Sequence, residues 1–448
     1  MKKTFINILM LGVTLFTVSC DKQLDTTPTQ SLDEKDALKT SKDVEVALVG
    51  AYADLGSNDF YSGRIFVCQD LLASTTEISW SGTYEQMTQM RNKAILVDNS
   101  FVANTWLDAY RTINDVNKVL SALSVVNADK KDKVEGEAKF IRGAVYFDLV
   151  RAFAKSWNDG DAASNAGVPL VLTPTVDINA GSQVARNTVA EVYAQAISDL
   201  TEAEAKLPDE NGFFADKAAA AGMLARIYLQ KMDYANAANA ANRSIEYALD
   251  IGKDLMPSYA DAFPTSDGNT SEDIFATQVT TSTGYNAYQD FYSADGRGDI
   301  QINDEQIALY EPNDDRLNIF YESGGSRYCG KFDYLYGNVH ILRMAELYLV
   351  RAEANFRLGT ATGADPVDDI NKIRERVNLE PYGSEDLTLD KILLERKLEL
   401  AFEGGSLNDA KRLQTNIALT SWNAPQLVYP IPIRELRVNS KLTQNDGY

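Results

Sequence analysis

Residues 215–249 read ADKAAAAGMLARIYLQKMDYANAANAANRSIEYAL. Leu224, Ala225 and Tyr228 fall three and four residues apart, the spacing of one helix face. Lys231–Asp233 reads as a short turn. Beyond it, Ala237 and Ala241 lie on one face of a second helix. Alanine at these places lets two antiparallel helix backbones approach closely, so the segment predicts a paired-helix unit.

The unit resembles a tetratricopeptide pair, and such pairs bury their apolar faces only by stacking on further pairs. More of the chain carries the same period. Arg343 to Val377 reads as a second pair, with Ile341, Ala345, Leu349, Ala352 and Phe356 on its first helix. Gly359, Gly363 and Pro366 mark its turn, and Val367, Ile370, Ile373 and Val377 form its second helix. Trp106, Tyr110, Ile113, Val116 and Leu120 give another face, and Ala138, Ile141, Val145, Leu149 and Ala152 another. Asn187-Thr188 predicts a cap for a helix through Val192, Ile197 and Leu200, which Pro208 stops. The expected fold is all-α, a tetratricopeptide-like helical-repeat scaffold with a curved groove.

Two segments break the period. Residues 56–100 and 255–338 are rich in Gly, Ser, Asn, Asp and aromatic residues and show no long helical stripe. Long loops in a compact domain are usually functional or disordered. Their aromatic content argues against disorder. Ligand chemistry is therefore expected on these loop-rich insertions, carried by a rigid helical support.

The N-terminus reads as an export signal. Lys2 and Lys3 precede an apolar run from Phe5 to Val18, too short to span a bilayer comfortably. Thr17-Val18-Ser19-Cys20 resembles a bacterial lipobox, although Thr17 stands where Leu is usual. Residues 1–19 are thus expected to be a lipoprotein signal peptide, with Cys20 lipidated and residues 20–40 a flexible tether. Residues 41–448 are expected to form a single domain. No other apolar run approaches spanning length.

Composition narrows the function. The 448 residues carry 43 Lys and Arg against 64 Asp and Glu, a formal net charge of -21. That opposes nucleic-acid binding, which needs clustered cations. His340 is the one histidine, which leaves no material for a multi-histidine zinc site and little for a Ser-His-Asp triad. It precedes an apolar stretch and reads as a helix-start residue. With Cys20 assigned to lipid, Cys68 and Cys329 read either as one disulfide or as two separate buried thiols. Asp295-Gly296-Arg297-Gly298-Asp299 is turn-like but lacks the alternating oxygen ligands of a calcium loop. No phosphate-cradling Gly-rich loop is present, and neither cofactor nor metal is expected.

Several segments together resemble the SusD/RagB family of outer-membrane nutrient-binding lipoproteins. They are Gly136-Glu137-Ala138-Lys139-Phe140-Ile141-Arg142-Gly143-Ala144-Val145-Tyr146-Phe147-Asp148-Leu149, with Gly167-Val168-Pro169-Leu170; Arg343-Met344-Ala345-Glu346-Leu347-Tyr348-Leu349, with Ile370-Asn371-Lys372-Ile373-Arg374; and Glu395-Arg396-Lys397-Leu398-Glu399-Leu400-Ala401-Phe402-Glu403-Gly404. Tyr429-Pro430-Ile431-Pro432 and Gln444-Asn445-Asp446-Gly447-Tyr448 complete the set. Ser406, Ala410, Ser440 and Asp446 depart from the usual residues. The resemblance implies a SusD-like helical scaffold with a loop-built ligand site, lipid-anchored on the outer membrane and facing the cell exterior. It implies a lid on a SusC-like TonB-dependent transporter, with a glycan as cargo and no enzyme activity. Peptide capture is the alternative within the family. A glycoside hydrolase and a plain protein scaffold are the alternatives outside it. Glu395, Arg396 and Glu399 read as a charged framework rather than a catalytic carboxylate pair.

Sugars are held by aromatic faces and planar polar groups. The first loop-rich segment offers Trp80 and Tyr84, with Arg64, Asp70 and Glu77 nearby. The second offers Tyr285, Tyr288 and Tyr292, interleaved with Asn286, Gln289 and Asp290, and then Tyr328, Tyr334 and Tyr336. Ligand binding is expected of Trp80 first, then of Tyr288 and Tyr292, and also of Tyr84, Tyr285 and Asp70.

Overall fold

A computed structural model describes residues 38–176, 182–281 and 284–448. The signal peptide, Cys20 and tether residues 21–37 lie outside the described residues. The first part of the chain forms α1 (Ser41–Leu55), α2 (Arg64–Ala73), β1 (Ile78–Trp80), α3 (Glu85–Arg91), α4 (Ser100–Ser121), α5 (Lys131–Phe153), α6 (Val189–Lys206), α7 (Lys217–Gln230) and α8 (Tyr234–Asp250). Then come β2 (Asp273–Thr277), α9 (Ala287–Tyr292), β3 (Ile300–Ile302), α10 (Asp304–Ile307), β4 (Phe320–Ser323), β5 (Ser326–Cys329) and β6 (Val339–Arg343). Five helices close the chain: α11 (Met344–Leu358), α12 (Pro366–Arg376), α13 (Leu389–Glu399), α14 (Ser406–Arg412) and α15 (Ile433–Val438).

The longer helices stack in sequence, α1 on α4, α4 on α5, and so on through α6, α7 and α8 to α11, which carries α12 and α13. This is the expected tetratricopeptide-like helical scaffold. Small residues set the spacing. Ala218 to Ala225 are all buried along α7. A Cβ on Gly222 would stand 2.2 Å from Leu342 Cδ2, and Ser244 Oγ of α8 donates to the Ala218 carbonyl at 2.6 Å. Bulk at these places would drive the pair apart. The α6 start follows the expected cap. Thr188 Oγ1 accepts from Glu191 N at 3.2 Å, and Glu191 Oε2 accepts from Thr188 N at 2.8 Å. The two bonds satisfy amides that the helix leaves free.

Three expectations need correction. Ile341 begins no helix: β6 holds it, paired antiparallel with β2 in the register Phe275↔Leu342 and Thr277↔Val339, and α11 starts at Met344. A buried strand flowing into a buried helix leaves a continuous apolar pattern that periodicity alone does not divide. His340 therefore lies on a strand, its Nδ1 against Asp273 Oδ1. The 56–100 segment is also not all loop, since it contains α2 and α3. Every residue of α2 from Ile65 to Leu72 is buried, so it shows no polar face and no amphipathic stripe.

The charged framework runs through the C-terminal half. Arg343 Nη1 donates to Glu272 Oε1 at 2.7 Å and to Glu399 Oε1 at 2.6 Å, and its Nε donates to Glu403 Oε2 at 2.9 Å. Arg374 Nη1 donates to Glu395 at 2.7 Å. Arg396 Nε reaches Asp409 Oδ2 at 2.8 Å and its Nη2 reaches Glu346 Oε1 at 3.2 Å. Burial pushes Glu399 and Glu403 upward, but the surrounding guanidiniums and Lys331 outweigh it and hold each carboxyl down to about 2. After α13 the backbone turns at Phe402 and Gly404, with φ of 66° and 75°. At Gly404 a Cβ would also meet Phe66 Cβ at 2.5 Å, so glycine is required there twice over.

Candidate functional site

Two of the predicted rings are carried to the surface by short elements. In β1, Ile78 is buried opposite Ile302, and Trp80 pairs with Ile300 at the outer end of the ladder. The indole is partly exposed and held in place: its Nε1 donates to Thr88 Oγ1 at 2.9 Å, and Phe291 backs it at 6.2 Å. Gly82 lies against the indole so closely that a Cβ would come 2.3 Å from Trp80 Cη2 and 2.7 Å from Asp299 Cγ. Tyr84, just before α3, rests on Phe101 at 5.6 Å and edge-on to Phe291 at 6.0 Å. The guanidinium of Arg297 lies 4.6 Å over the Tyr84 ring. It is steered there by Asp299, which accepts from Arg297 Nε at 2.6 Å, and by Thr83, which accepts from Nη2 at 3.2 Å.

Arg64 opens α2 beside these rings. It pairs with Asp59 and lies 4.5 Å over the Phe101 ring. Asp59 also accepts from Asn104 Nδ2 at 3.0 Å. Arg64 Nε is buried without a hydrogen-bond partner. The Tyr285 hydroxyl is raised by partial burial and then by Asp290, while Arg64 opposes the shift. Burial likewise raises Asp290, with Arg297 opposing. Trp80, Tyr84 and Tyr285 thus share one neighbourhood with Arg64, Asp290 and Arg297. Rings beside forked donors and carboxylates are what a hydroxyl-rich ligand needs.

Tyr288, Tyr292 and Asp70 do not join them. Tyr288 is 3% exposed and stacked at 4.3 Å on Phe332, with Phe66 parallel at 6.3 Å on a further contact. Tyr292 is 0% exposed and donates its hydroxyl to Asp70 Oδ2 at 3.1 Å. Asp70 Oδ1 accepts from Gly404 N at 3.1 Å, and burial pushes its carboxyl up to about 7. These side chains tie the loop-rich segments to the core; Tyr288 and Tyr292 are buried, and Asp70, 5% exposed, meets only the wall of a cavity between α2, α13 and α14. The reason is local. All three aromatics of the short helix α9, Tyr288, Phe291 and Tyr292, are buried, at the three- and four-residue spacing of one helix face.

The remaining candidates are dispersed. Asn286 caps α9, accepting from Tyr288 N at 2.9 Å, and Gln289 is buried beside it. Glu77 accepts from Lys397 Nζ at 3.1 Å. Tyr328 packs against the Gly298 turn and near Tyr321 at 5.9 Å. Tyr334 donates to Asp267 at 2.6 Å and lies 6.5 Å from Tyr336, on a loop whose Leu335 carbonyl accepts from Asn286 N at 3.1 Å. Cys68 and Cys329 are separate buried thiols, each pushed up to about 12 by burial. Sequence reading missed Asp59, Phe101 and Asn104, because helix periodicity shows a residue's face without showing what crosses it. It also passed over Arg297 as a turn residue. A cavity of about 380 Å³ lies elsewhere, between α2, α13 and α14, and both Ser406 and Ala410 line it. Their small side chains leave that space.

A stacked-helix frame bearing a loop-built, ring-and-guanidinium surface defines a class of helical-repeat ligand-binding proteins. Comparison with known proteins makes the class specific. Residues 22–229 match the family model described as starch-binding associating with outer membrane, and residues 330–426 match the SusD family model. The chain is 26% identical over 525 residues to SusD-like protein P2 of Formosa agariphila, covering 100% of both chains. It is 32% identical over 124 residues to the starch-binding protein SusD of Bacteroides thetaiotaomicron, covering 25% of this chain and 22% of that one. Among solved structures, a SusD superfamily protein of Bacteroides vulgatus superposes with a TM-score of 0.83 at 22% identity, covering 92% of this chain and 99% of that one. The chain belongs to the SusD/RagB family, a family of outer-membrane-associated, glycan-binding proteins.

Proposed function

We propose that this protein captures glycan chains at the cell surface and passes them to a SusC-like TonB-dependent transporter, over which it sits as a lid. The observation that carries the binding half is the convergence of Trp80, Tyr84 and Tyr285 with Arg64, Asp290 and Arg297. An indole and two phenols on a surface give apolar faces for sugar C–H groups. The guanidiniums and Asp290 supply planar partners for the hydroxyls. Partly exposed rings along a surface, rather than a closed pouch, suit a chain bound side-on. In this reading residues 1–19 are removed, Cys20 carries lipid, residues 20–40 are the tether and residues 41–448 act as one unit. The partner and the handover rest on family membership.

Binding without turnover is the reading the charges favour. A glycosidase needs one carboxyl kept protonated beside another kept ionised. Glu395 and Glu399 are each committed to guanidiniums deep in the frame, so that pair supplies no acid. Peptide cargo is the competing reading within the family, and the same assay separates the two.

The full chain, detergent-solubilised, is to be titrated calorimetrically against neutral polysaccharides and against a peptide library. Trp80→Ala is expected to weaken glycan binding by about 1–3 kcal/mol, the scale of an interface anchor, with an unchanged melting temperature. Equal affinity in the variant removes Trp80 from the site. Peptide binding with no glycan binding overturns the cargo, and release of sugar from a chromogenic glycoside overturns the non-catalytic reading.

A further inference from the structure

A cavity of about 40 Å³ lies between α5, β6 and α13. Space above roughly 10–15 Å³ is enough to hold a water-sized occupant, so this one has room. Arg151, His340 and Arg396 all line it. Their side chains are only 8%, 6% and 5% exposed. Each keeps one buried nitrogen without a hydrogen-bond partner: Arg151 Nε, His340 Nε2 and Arg396 Nη1. An unmatched buried donor forfeits the hydrogen bond it would make to water. Three of them on one small cavity call for a shared occupant.

The wall says what kind. Two carboxylates line it, Glu346 and Glu403, and both are already engaged. Glu346 accepts from Arg226 Nε at 3.1 Å and from Arg396 Nη2 at 3.2 Å. Glu403 accepts from Lys331 Nζ at 2.6 Å and from Arg343 Nε at 2.9 Å. Against them stand four guanidiniums, of Arg151, Arg226, Arg343 and Arg396. Asp148, Asp273 and Asp409 pair with Arg151, His340 and Arg396. None of those three aspartates lines the cavity. They fix the cations in place and leave one nitrogen of each without a partner. The Asp273 carboxylate accepts at His340 Nδ1, so that nitrogen carries a proton. Burial alone lowers the imidazole, but Asp273 outweighs it and raises it, which favours a second N–H at Nε2. All the partnerless buried atoms on this wall are nitrogens. A metal ion would meet donors where it needs lone pairs, whereas an anion meets what it needs.

We propose that this cavity is a binding site for a halide-sized anion, held by Arg151, His340 and Arg396. It joins the N-terminal helices to the β2–β6 ladder and the α13 frame, independently of any glycan. The test is crystallographic. Crystals of the full chain soaked in bromide are expected to show an anomalous peak touching all three nitrogens. Ordered water there, with bromide only on the outer surface, overturns the proposal. In solution, chloride is expected to raise the melting temperature by about 2 °C over gluconate at equal ionic strength. Arg396→Met is expected to abolish that increment. An unchanged increment in this variant counts against the site, and if the variant does not fold, the bromide map decides alone.

Discussion

Asp70→Asn separates a buttress from a ligand contact. Asp70 is 5% exposed, and burial pushes its carboxyl from 3.8 up to about 7, even though Tyr292 and Gly404 donate to it and pull the other way. Its folded value lies above its unfolded one, so the folded chain holds this proton where the unfolded chain releases it. The favourable contribution is complete below pH 3.8 and is lost as pH rises through about 7. Asparagine has nothing to ionise. Its oxygen still accepts from Gly404 N–H, and its amide donates to the Tyr292 oxygen, which turns from donor to acceptor. At 1.36 kcal/mol per pH unit, the roughly three-unit displacement gives a gain of up to about 4 kcal/mol above pH 7 and about 1–2 kcal/mol at pH 5. Urea unfolding of wild type and variant at pH 5 and pH 8 measures both. A gain that does not grow with pH, or a loss at pH 8, refutes the assignment of a proton-holding buried carboxyl. Glycan affinity is expected to be unchanged. A tenfold loss would return Asp70 to the ligand site.

Arg343→Met strips Glu272, Glu399 and Glu403 of a shared guanidinium. Breaking a buried pair from one side costs about 3–5 kcal/mol, read as a lower urea midpoint. Acid works on the same network. Glu399 and Glu403, with ordinary values of 4.5, are held down to about 2, as is Asp409 by Arg396 and Arg412. Their contribution is full above pH 4.5 and lost as pH falls towards 2, so the melting temperature is expected to drop steeply across that window; a flat profile from pH 5 to 3 refutes the ion-paired frame. Gly82→Ala forces a methyl into Trp80 and Asp299. It is expected to cost about tenfold in glycan affinity with global stability within about 0.5 kcal/mol of wild type, measured by calorimetry and urea unfolding. Unaltered affinity would mean that the indole position does not matter to the ligand.

The helical stack was legible because its physics repeats. Ala237 and Ala241 report a close helix contact wherever they occur at that spacing, and Asn187-Thr188 reports a helix start, to which the structure adds Glu191 as the capping partner. The site was legible only in part. Trp80 and Tyr84, both partly exposed, stand out because aromatic residues in a Gly- and Ser-rich segment need a reason to be there. Tyr288 and Tyr292 satisfied the same criterion and proved to be core, because Phe66, Phe332 and Phe402 come from distant parts of the chain to cover them. Arg297 was passed over because what places it on Tyr84 is a salt bridge to Asp299 and a bond to Thr83, 214 residues away in sequence. Periodicity encodes a face, whereas a binding surface is made where unrelated faces meet.

That contrast also explains why the frame is ionic where it is. The 255–338 insertion leaves the helical stack after α8 and must return to it in one register. Glu272 precedes β2, Arg316 and Lys331 lie within the insertion, and Arg343 ends β6. All four close on the end of α13: Arg316 reaches Glu395 Oε2 at 3.0 Å, Lys331 reaches Glu403 Oε1 at 2.6 Å, and Arg343 joins Glu272 to Glu399. Apolar side chains would bury the seam comparably well and tolerate a shifted fit, since packing is not directional. A guanidinium fork between carboxylates tolerates little displacement before it leaves a charge unpaired in the core. The network therefore contributes position more than net stability. The β3 strand of the same insertion holds Trp80 through Ile300. Arg297 stands on the turn just before it. A seam fixed by ions thus fixes the ring and the guanidinium of the proposed site.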